Sequence, residues 1–106
     1  MGVRAELVIR GQVITLADPS GGTFTAAGDF DRLLPVPAKS FPVLAKVDPY
    51  GDALLLGDEM AALASEVALL LTQAEPGPER RGLLRLQALV LAGQAETGAV
   101  LRFNGD

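Results

Sequence analysis

The first hydrophobic stretch of the chain has the character of β-structure. Residues 4–16 are rich in valine, isoleucine and leucine, and the pair Arg10-Gly11 interrupts them once. Branched aliphatic residues favour strands, and a glycine within such a run marks either a turn or a bulge. The pattern therefore predicts a hairpin over residues 4–16, or one long strand with a bulge at Gly11.

An alternation of apolar residues over residues 41–47 predicts a second strand. Every second residue is apolar, which would place these side chains together on one buried face. The next four residues, Asp48-Pro49-Tyr50-Gly51, are favoured in a type I β-turn. We therefore expect a hairpin whose second strand covers residues 53–56. The alternating apolar residues are Phe41, Val43, Ala45 and Val47.

Two later segments have the spacing of amphipathic helices. The first starts at Asp58, a favourable N-cap residue, and its apolar side chains form one stripe. Pro76-Gly77-Pro78 ends this helix and begins a second one, which is predicted to reach Ala95. Apolar side chains cover more than half of the second helix, more than one sheet face can bury. The first stripe contains Met60, Leu63, Val67, Leu70, Leu71 and Ala74, and the second Leu83, Leu84, Leu86, Leu89, Val90 and Leu91.

Residues 17–40 are rich in glycine and proline, which predicts a mainly irregular loop. Residues 23–25 have the character of a short strand, and residues 29–34 have room for one helical turn. Gly98 ends the second helical segment, and residues 99–103 predict a closing strand. We expect three side chains to pack the loop onto the core, namely Phe24, Phe30 and Leu33.

The order of these elements predicts a single α+β domain over residues 1–106. An antiparallel sheet of about four to five strands would carry the two helices on one face. The C-terminal strand would return to this sheet. The other sheet face would be left for water or for a partner.

Several residues around the central turn and at the C-terminus form a recognisable combination. Asp48-Pro49-Tyr50-Gly51-Asp52 is followed by a leucine-rich helix, and the chain closes with Leu101-Arg102-Phe103-Asn104-Gly105-Asp106. In this the chain resembles a family of small uncharacterised actinobacterial proteins with a central Asp-Pro-Tyr-Gly-Asp turn and a final strand ending in Gly-Asp. The resemblance implies no activity. An arginine-rich and alanine-rich composition agrees with a bacterial genome of high GC content.

The composition excludes several classes of chemistry. The chain contains no histidine and no cysteine, so it cannot supply a disulfide, a Cys/His zinc site, a cysteine nucleophile or a histidine base. No uninterrupted apolar run approaches the length of a membrane span. Residues 1–10 lack the pattern of a signal peptide. We therefore predict a cytoplasmic protein without membrane association.

Carboxylates are the only abundant reactive groups. Asp48 and Asp52 flank the central turn with Tyr50 between them, and oxygen ligands of this kind suit Mg²⁺ or Ca²⁺. The alternative is that Asp48 starts the turn and Asp58 caps the helix, which requires no ion. No known metal loop or catalytic pair is present. We predict no catalytic residue, no metal and no cofactor.

The only basic cluster, Arg80, Arg81 and Arg85, opens the second helix. A net charge of −4 at pH 7 disfavours binding to a phosphate backbone, so nucleic acid is not an expected partner. We expect these arginines to pair with Glu75 and Glu79, or with an acidic partner.

The apolar excess favours an interaction with another protein. Hydrophobic residues make up 49% of this short chain, and a small domain leaves part of such a surface exposed. The predicted surface residues are Leu69, Leu84, Leu89 and Leu91. The alternative is that the two helices and the sheet cover these side chains between them.

We therefore predict a non-catalytic protein–protein interaction domain. It would act as a homodimer or as an accessory protein resembling an immunity protein or an antitoxin. The alternative is a domain, with or without enzymatic activity, that binds a small molecule or a divalent metal at the Asp48–Asp52 turn beneath a lid formed by residues 17–40.

Overall fold

Seven strands, two α-helices and two short 3₁₀ helices occur in the computed structural model, within the described residues 2–34, 36–48 and 50–105. The helices are α1 (Gly57–Gln73) and α2 (Pro78–Gln94), and the 3₁₀ helices cover Asp31–Leu33 and Leu44–Lys46. The strands are β1 (Arg4–Ile9), β2 (Gln12–Val13), β3 (Leu16–Ala17), β4 (Thr23–Phe24), β5 (Ala26–Ala27), β6 (Asp52–Leu55) and β7 (Val100–Asn104).

Five of these strands form one antiparallel sheet. The order is β2-β1-β7-β6, and β5 also pairs with β1. The C-terminal strand β7 therefore lies in the middle of the sheet, between β1 and β6. β3 and β4 form a separate two-stranded hairpin. This architecture, with both helices packed against the sheet, confirms the predicted α+β class and the return of the C-terminal strand.

The N-terminal segment is a hairpin rather than one bulged strand. Ile9 pairs with Gln12, which leaves Arg10 and Gly11 as a two-residue turn. Both turn residues have positive φ angles, 54° and 79°, as a type I′ turn requires. Glycine accepts this conformation without strain, which explains its position at residue 11.

The core lies between the inner face of the sheet and α2. Leu7 on β1 and Met60 of α1 both lie close to Gly93 of α2. The aromatic ring of Phe103 on β7 meets that of Phe30 edge to face, with ring centroids 6.1 Å apart. Helix α2 thus packs against both the sheet and α1. Its fully buried side chains are Leu83, Leu86, Leu89 and Val90.

The predicted strand over residues 41–47 is wrong. The segment forms consecutive turns and the 3₁₀ helix Leu44–Lys46, with hydrogen bonds from the Ala45 amide to Phe41 O and from the Val47 amide to Leu44 O. The alternation was misleading because Leu44, assigned to the exposed face, is buried together with Phe41, Val43 and Val47. The predicted hairpin is therefore also wrong, since β6 pairs with β7.

The two helices begin and end close to the predicted bounds. The predicted N-cap Asp58 is wrong: Leu56 occupies the N-cap position, two residues earlier, and Asp58 lies in the first turn of α1. An acidic side chain in a first turn still interacts favourably with the helix dipole. Pro78 occupies the first turn of α2, as predicted. No helix among the described residues is both long enough and apolar enough to cross a membrane.

Candidate interaction surface

The sheet has one face that the helices leave uncovered, which we call the outer face. Side chains alternate between the two faces of a strand. Ala5, Leu7, Leu101 and Phe103 point towards the helices and are fully buried. The residues between them on β1 and β7 therefore point outwards, and they are exposed or half-buried. On the outer face lie Arg4, Glu6, Val8, Val100, Arg102 and Asn104.

Much of the outer face is apolar. Val8 pairs with Val13 on one side and with Val100 on the other, so three valines form a row across three strands. Leu54 on β6 and Leu56, which continues β6 in extended conformation, are 61% and 57% exposed. We call these five residues the outer apolar cluster: Val8, Val13, Leu54, Leu56 and Val100.

The polar part of the outer face is held by internal contacts. Glu6 lies opposite Arg102 in the sheet, and its Oε1 accepts a hydrogen bond from Arg102 Nη2 at 3.0 Å. Asn104 Nδ2 donates to the same oxygen at 2.9 Å. Cross-strand pairs of this kind stabilise a sheet locally. These three side chains thus hydrogen-bond to one another within the chain. The outer apolar cluster is the part of this face that contact with another protein would bury.

Strand β6 is an edge of the sheet, since it pairs with β7 alone among the described strands. The Gly105 amide donates to Gly51 O at 2.9 Å, and hydrogen-bonded pairs recur at every second position of an antiparallel ladder. Ala53 and Leu55 therefore direct their backbone groups towards β7. Asp52 and Leu54 direct theirs away from the sheet.

The surface predicted on the helices is only partly present. Leu89 is fully buried, so its assignment to an interaction surface is wrong: α2 packs against both the sheet and α1, which together cover this part of its apolar arc. Leu84 is half-buried, whereas Leu69 and Leu91 are 46% and 54% exposed.

Leu69 and Leu91 do not share a patch. Met60 contacts Gly93, so the C-terminal end of α2, which carries Leu91, lies beside the N-terminal end of α1. Leu69 is nine residues further along α1, a distance of about 13 Å at the rise of an α-helix. These two leucines lie at opposite ends of the helical layer.

The Asp48–Asp52 segment forms a turn whose polar groups bond locally. Asp48 Oδ1 accepts a hydrogen bond from the Tyr50 amide at 2.9 Å, and the Gly51 amide donates to Asp48 O at 3.2 Å. This agrees with the interpretation of Asp48 as a turn residue. Tyr50 and Asp52 are exposed, and Pro49 lies outside the described residues. Among the residues that the structure describes, no group of three acidic side chains is placed to hold a metal ion.

The loop over residues 17–40 is attached to α2. Asp18 Oδ2 accepts hydrogen bonds from Arg85 Nε at 2.9 Å and Arg85 Nη2 at 2.7 Å, and the Arg85 guanidinium also lies over the ring of Phe24. The Ser20 amide donates to Asp18 Oδ1 at 2.9 Å. The hydrogen bond from Ser20 and the contact with Arg85 lower the pKa of Asp18 below its usual value. Phe24 and Phe30 are buried and Leu33 packs against the core, as predicted.

The arginines at the start of α2 have other partners than expected. Arg85 pairs with Asp18, and Arg80 Nη1 donates to the carbonyl oxygen of Leu71 at 3.1 Å, near the end of α1. The pairing that we predicted with Glu75 and Glu79 is therefore wrong for these two residues. Both arginines fix elements of their own chain, which makes them poor candidates for contacts with a partner.

A cavity of about 500 Å³ lies at the connection between the two helices. Arg32, Gln73, Glu75 and Glu79 are the polar side chains at its border, and none of them is buried. Ligand pockets hold their ligands by a few buried and well-placed polar groups. This cavity lacks that feature in the described part of the chain, and we assign it no ligand.

The fold and the surface thus define an α+β domain with a two-helix layer on one sheet face and an apolar cluster on the other. Comparisons with protein-family models, with curated proteins and with solved structures gave no significant match. The resemblance to small actinobacterial proteins remains a prediction. A functional assignment therefore depends on the surface of this chain.

Proposed function

We propose that the protein is a non-catalytic protein–protein interaction domain that binds through the outer apolar cluster. The observation that carries this proposal is the position of Leu54 and Leu56. Both are more than half exposed, and both project from the same side of the sheet as the valine row, with Leu54 opposite Arg102. The free face of an antiparallel sheet is normally polar, so an apolar cluster at this position favours a binding role.

The simplest partner is a second copy of the chain, which would make the protein a cytoplasmic homodimer. Burial of exposed leucine and valine side chains contributes about 25 cal/mol per Å² of apolar surface. Glu6 and Arg102 pair within the chain, while Arg102 Nε has no hydrogen-bond partner among the described residues. An accessory role like that of an immunity protein or an antitoxin would use the same surface for a different protein.

Two double variants test which side of the molecule associates. Leu54→Ser with Leu56→Ser removes the exposed leucines of the sheet side. Leu69→Ser with Leu91→Ser is a matched control, because it removes two leucines of similar exposure from the helical side. We expect light scattering behind a sizing column to show a dimer for the wild type and the control, and a monomer for the first variant.

Two results contradict the proposal. Loss of the dimer in the helical variant, with retention in the sheet variant, would move the interaction surface to the helices. A wild-type chain that stays monomeric at every concentration would exclude self-association.

A further inference from the structure

The free edge of β6 carries backbone groups that a second strand can satisfy. The N–H and C=O groups of Asp52 and Leu54 point away from β7, and the alternation extends to the amide of Leu56. Edge strands are usually protected by charge, proline or a covering element. Here only Asp52 is charged, and the two leucines beside it are exposed.

We propose that β6 pairs antiparallel with β6 of a second copy, with Leu54 opposite Leu54 of that copy, to form one continuous sheet through both chains. This inference rests on the proposed function and specifies its geometry. The outward-directed backbone groups require a strand as the partner. A second β6 can be that strand, because one register of the pair brings no like charges together.

The register follows from the alternation of backbone groups and from charge. Centring the pair on Leu54 sets Asp52 opposite Leu56 of the other copy. Because Leu56 O already accepts a hydrogen bond from the Glu59 amide, the Leu54 pair and the two Leu56 amides contribute about four hydrogen bonds in total. Centring it on Asp52 would bring two carboxylates together, which is unfavourable. Centring it on Ala53 would leave the Leu56 amide opposite Tyr50, whose own amide already bonds to Asp48.

This register also joins the apolar clusters of the two copies. Leu54 and Leu56 project from the same face, so pairing brings four leucines together across the two-fold axis. The paired strand is short, so the dimer should be weak, and the fraction of dimer should increase with protein concentration. Each copy has a net charge of −4, and added salt should strengthen the association because it screens the repulsion between them.

Two substitutions at one position separate backbone pairing from side-chain packing. Leu54→Pro removes the outward amide, and proline is tolerated where that amide does not bond within the sheet. Leu54→Ala keeps the amide and shortens the side chain. We expect Leu54→Ala to weaken dimerisation on the order of tenfold, because some apolar burial remains. Leu54→Pro should weaken it by at least about a hundredfold, because it removes central hydrogen bonds and introduces a clash.

Sedimentation equilibrium at several concentrations measures the dimer dissociation constants of the wild type and of both variants. Circular dichroism verifies that each variant is folded. A wild-type dimer that Leu54→Pro and Leu54→Ala weaken equally would overturn edge pairing and leave the proposed function standing. A wild-type chain that is monomeric throughout would overturn both the edge pairing and the homodimer, and would leave a different protein as the partner of the outer apolar cluster.

A cross-link provides a second test that does not depend on the proline variant. The chain has no cysteine, so Leu54→Cys introduces a single thiol next to its own copy in the proposed register. A short thiol-specific cross-linker should join this variant into a covalent dimer, whereas Leu91→Cys, with a similarly exposed leucine replaced on α2, should stay monomeric. Equal cross-linking of the two variants would contradict the proposed register.

Discussion

Glu66 Oε1 accepts a hydrogen bond from the backbone amide of Leu44 at 2.8 Å, which ties α1 to a segment 22 residues earlier in the chain. The second carboxylate oxygen accepts a hydrogen bond from the amide of Val43 at 3.0 Å. Glu66 is only 7% exposed. A buried carboxylate is costly unless it is fully hydrogen-bonded, so these two bonds explain how α1 accommodates it.

We expect Glu66→Ala to lower the free energy of unfolding by about 2–4 kcal/mol, because two buried amides lose their acceptors. Glu66→Gln should cost less, since one acceptor oxygen remains. Urea unfolding followed by circular dichroism measures both changes. Glu75→Ala, which removes an exposed carboxylate, is the control and should change stability little. Equal effects of Glu66→Ala and Glu75→Ala would show that the hydrogen bonds from the Val43 and Leu44 amides do not contribute to stability.

A second prediction concerns Gly82, where α2 crosses the loop backbone. A Cβ at this position would collide with the carbonyl oxygen of Gly28 and would lie 3.0 Å from the Phe30 amide nitrogen. Backbone atoms cannot move aside as the end of a side chain can, so Gly82→Ala should cost about 3 kcal/mol or more.

The matched control is Gly57→Ala in the first turn of α1, where a Cβ would meet nothing within 4 Å. This variant should stay within about 0.5 kcal/mol of the wild type or gain slightly from the better helix propensity of alanine. The midpoints of urea unfolding provide the comparison. Similar midpoints for the two variants would show that the loop can move away from α2.

Sequence patterns predicted the elements that local signals define. The two helices follow from apolar spacing and from Pro78, and the final strand follows from residues 99–103 after Gly98. Residues 41–47 were mispredicted because an alternating pattern fits both a strand and a series of turns. Glu66, far away in the chain, holds the turn conformation. No local pattern encodes that interaction.

The candidate surface was harder to predict than the elements. The wide apolar arc of α2 indicated an interface, but Leu89 is fully buried because α2 packs against both the sheet and α1. The outer apolar cluster is created by the pairing of Val8 with Val13 and Val100. The alternation within each strand was visible in the sequence, whereas the order of strands that joins these residues was not.

The coverage of the α2 arc leads to a third prediction. Leu89 is fully buried and Leu91, two residues later, is more than half exposed. Leu89→Ala should cost about 3 kcal/mol, because it removes core contacts and leaves a cavity. Leu91→Ala should stay within about 0.5 kcal/mol of the wild type, as exposed positions usually do. Thermal and urea unfolding measure both, and a large loss in Leu91→Ala would indicate that its side of α2 is covered in solution.

The contact between Asp18 and Arg85 leads to a fourth prediction, which concerns the pH dependence of stability. The Ser20 amide and Arg85 lower the pKa of Asp18 in the folded chain. A group with a lowered folded pKa stabilises the fold above its unfolded pKa, which is about 3.9 for aspartate, and this contribution is lost as the pH falls through the lowered value.

Asp18→Asn keeps an acceptor for Ser20 and loses the ion pair with Arg85. The variant should therefore melt below the wild type at neutral pH, and the two melting temperatures should converge on acidification below about pH 4. A difference in melting temperature that stays constant from neutral to acid pH would show that the charge of Asp18 does not hold the loop on α2.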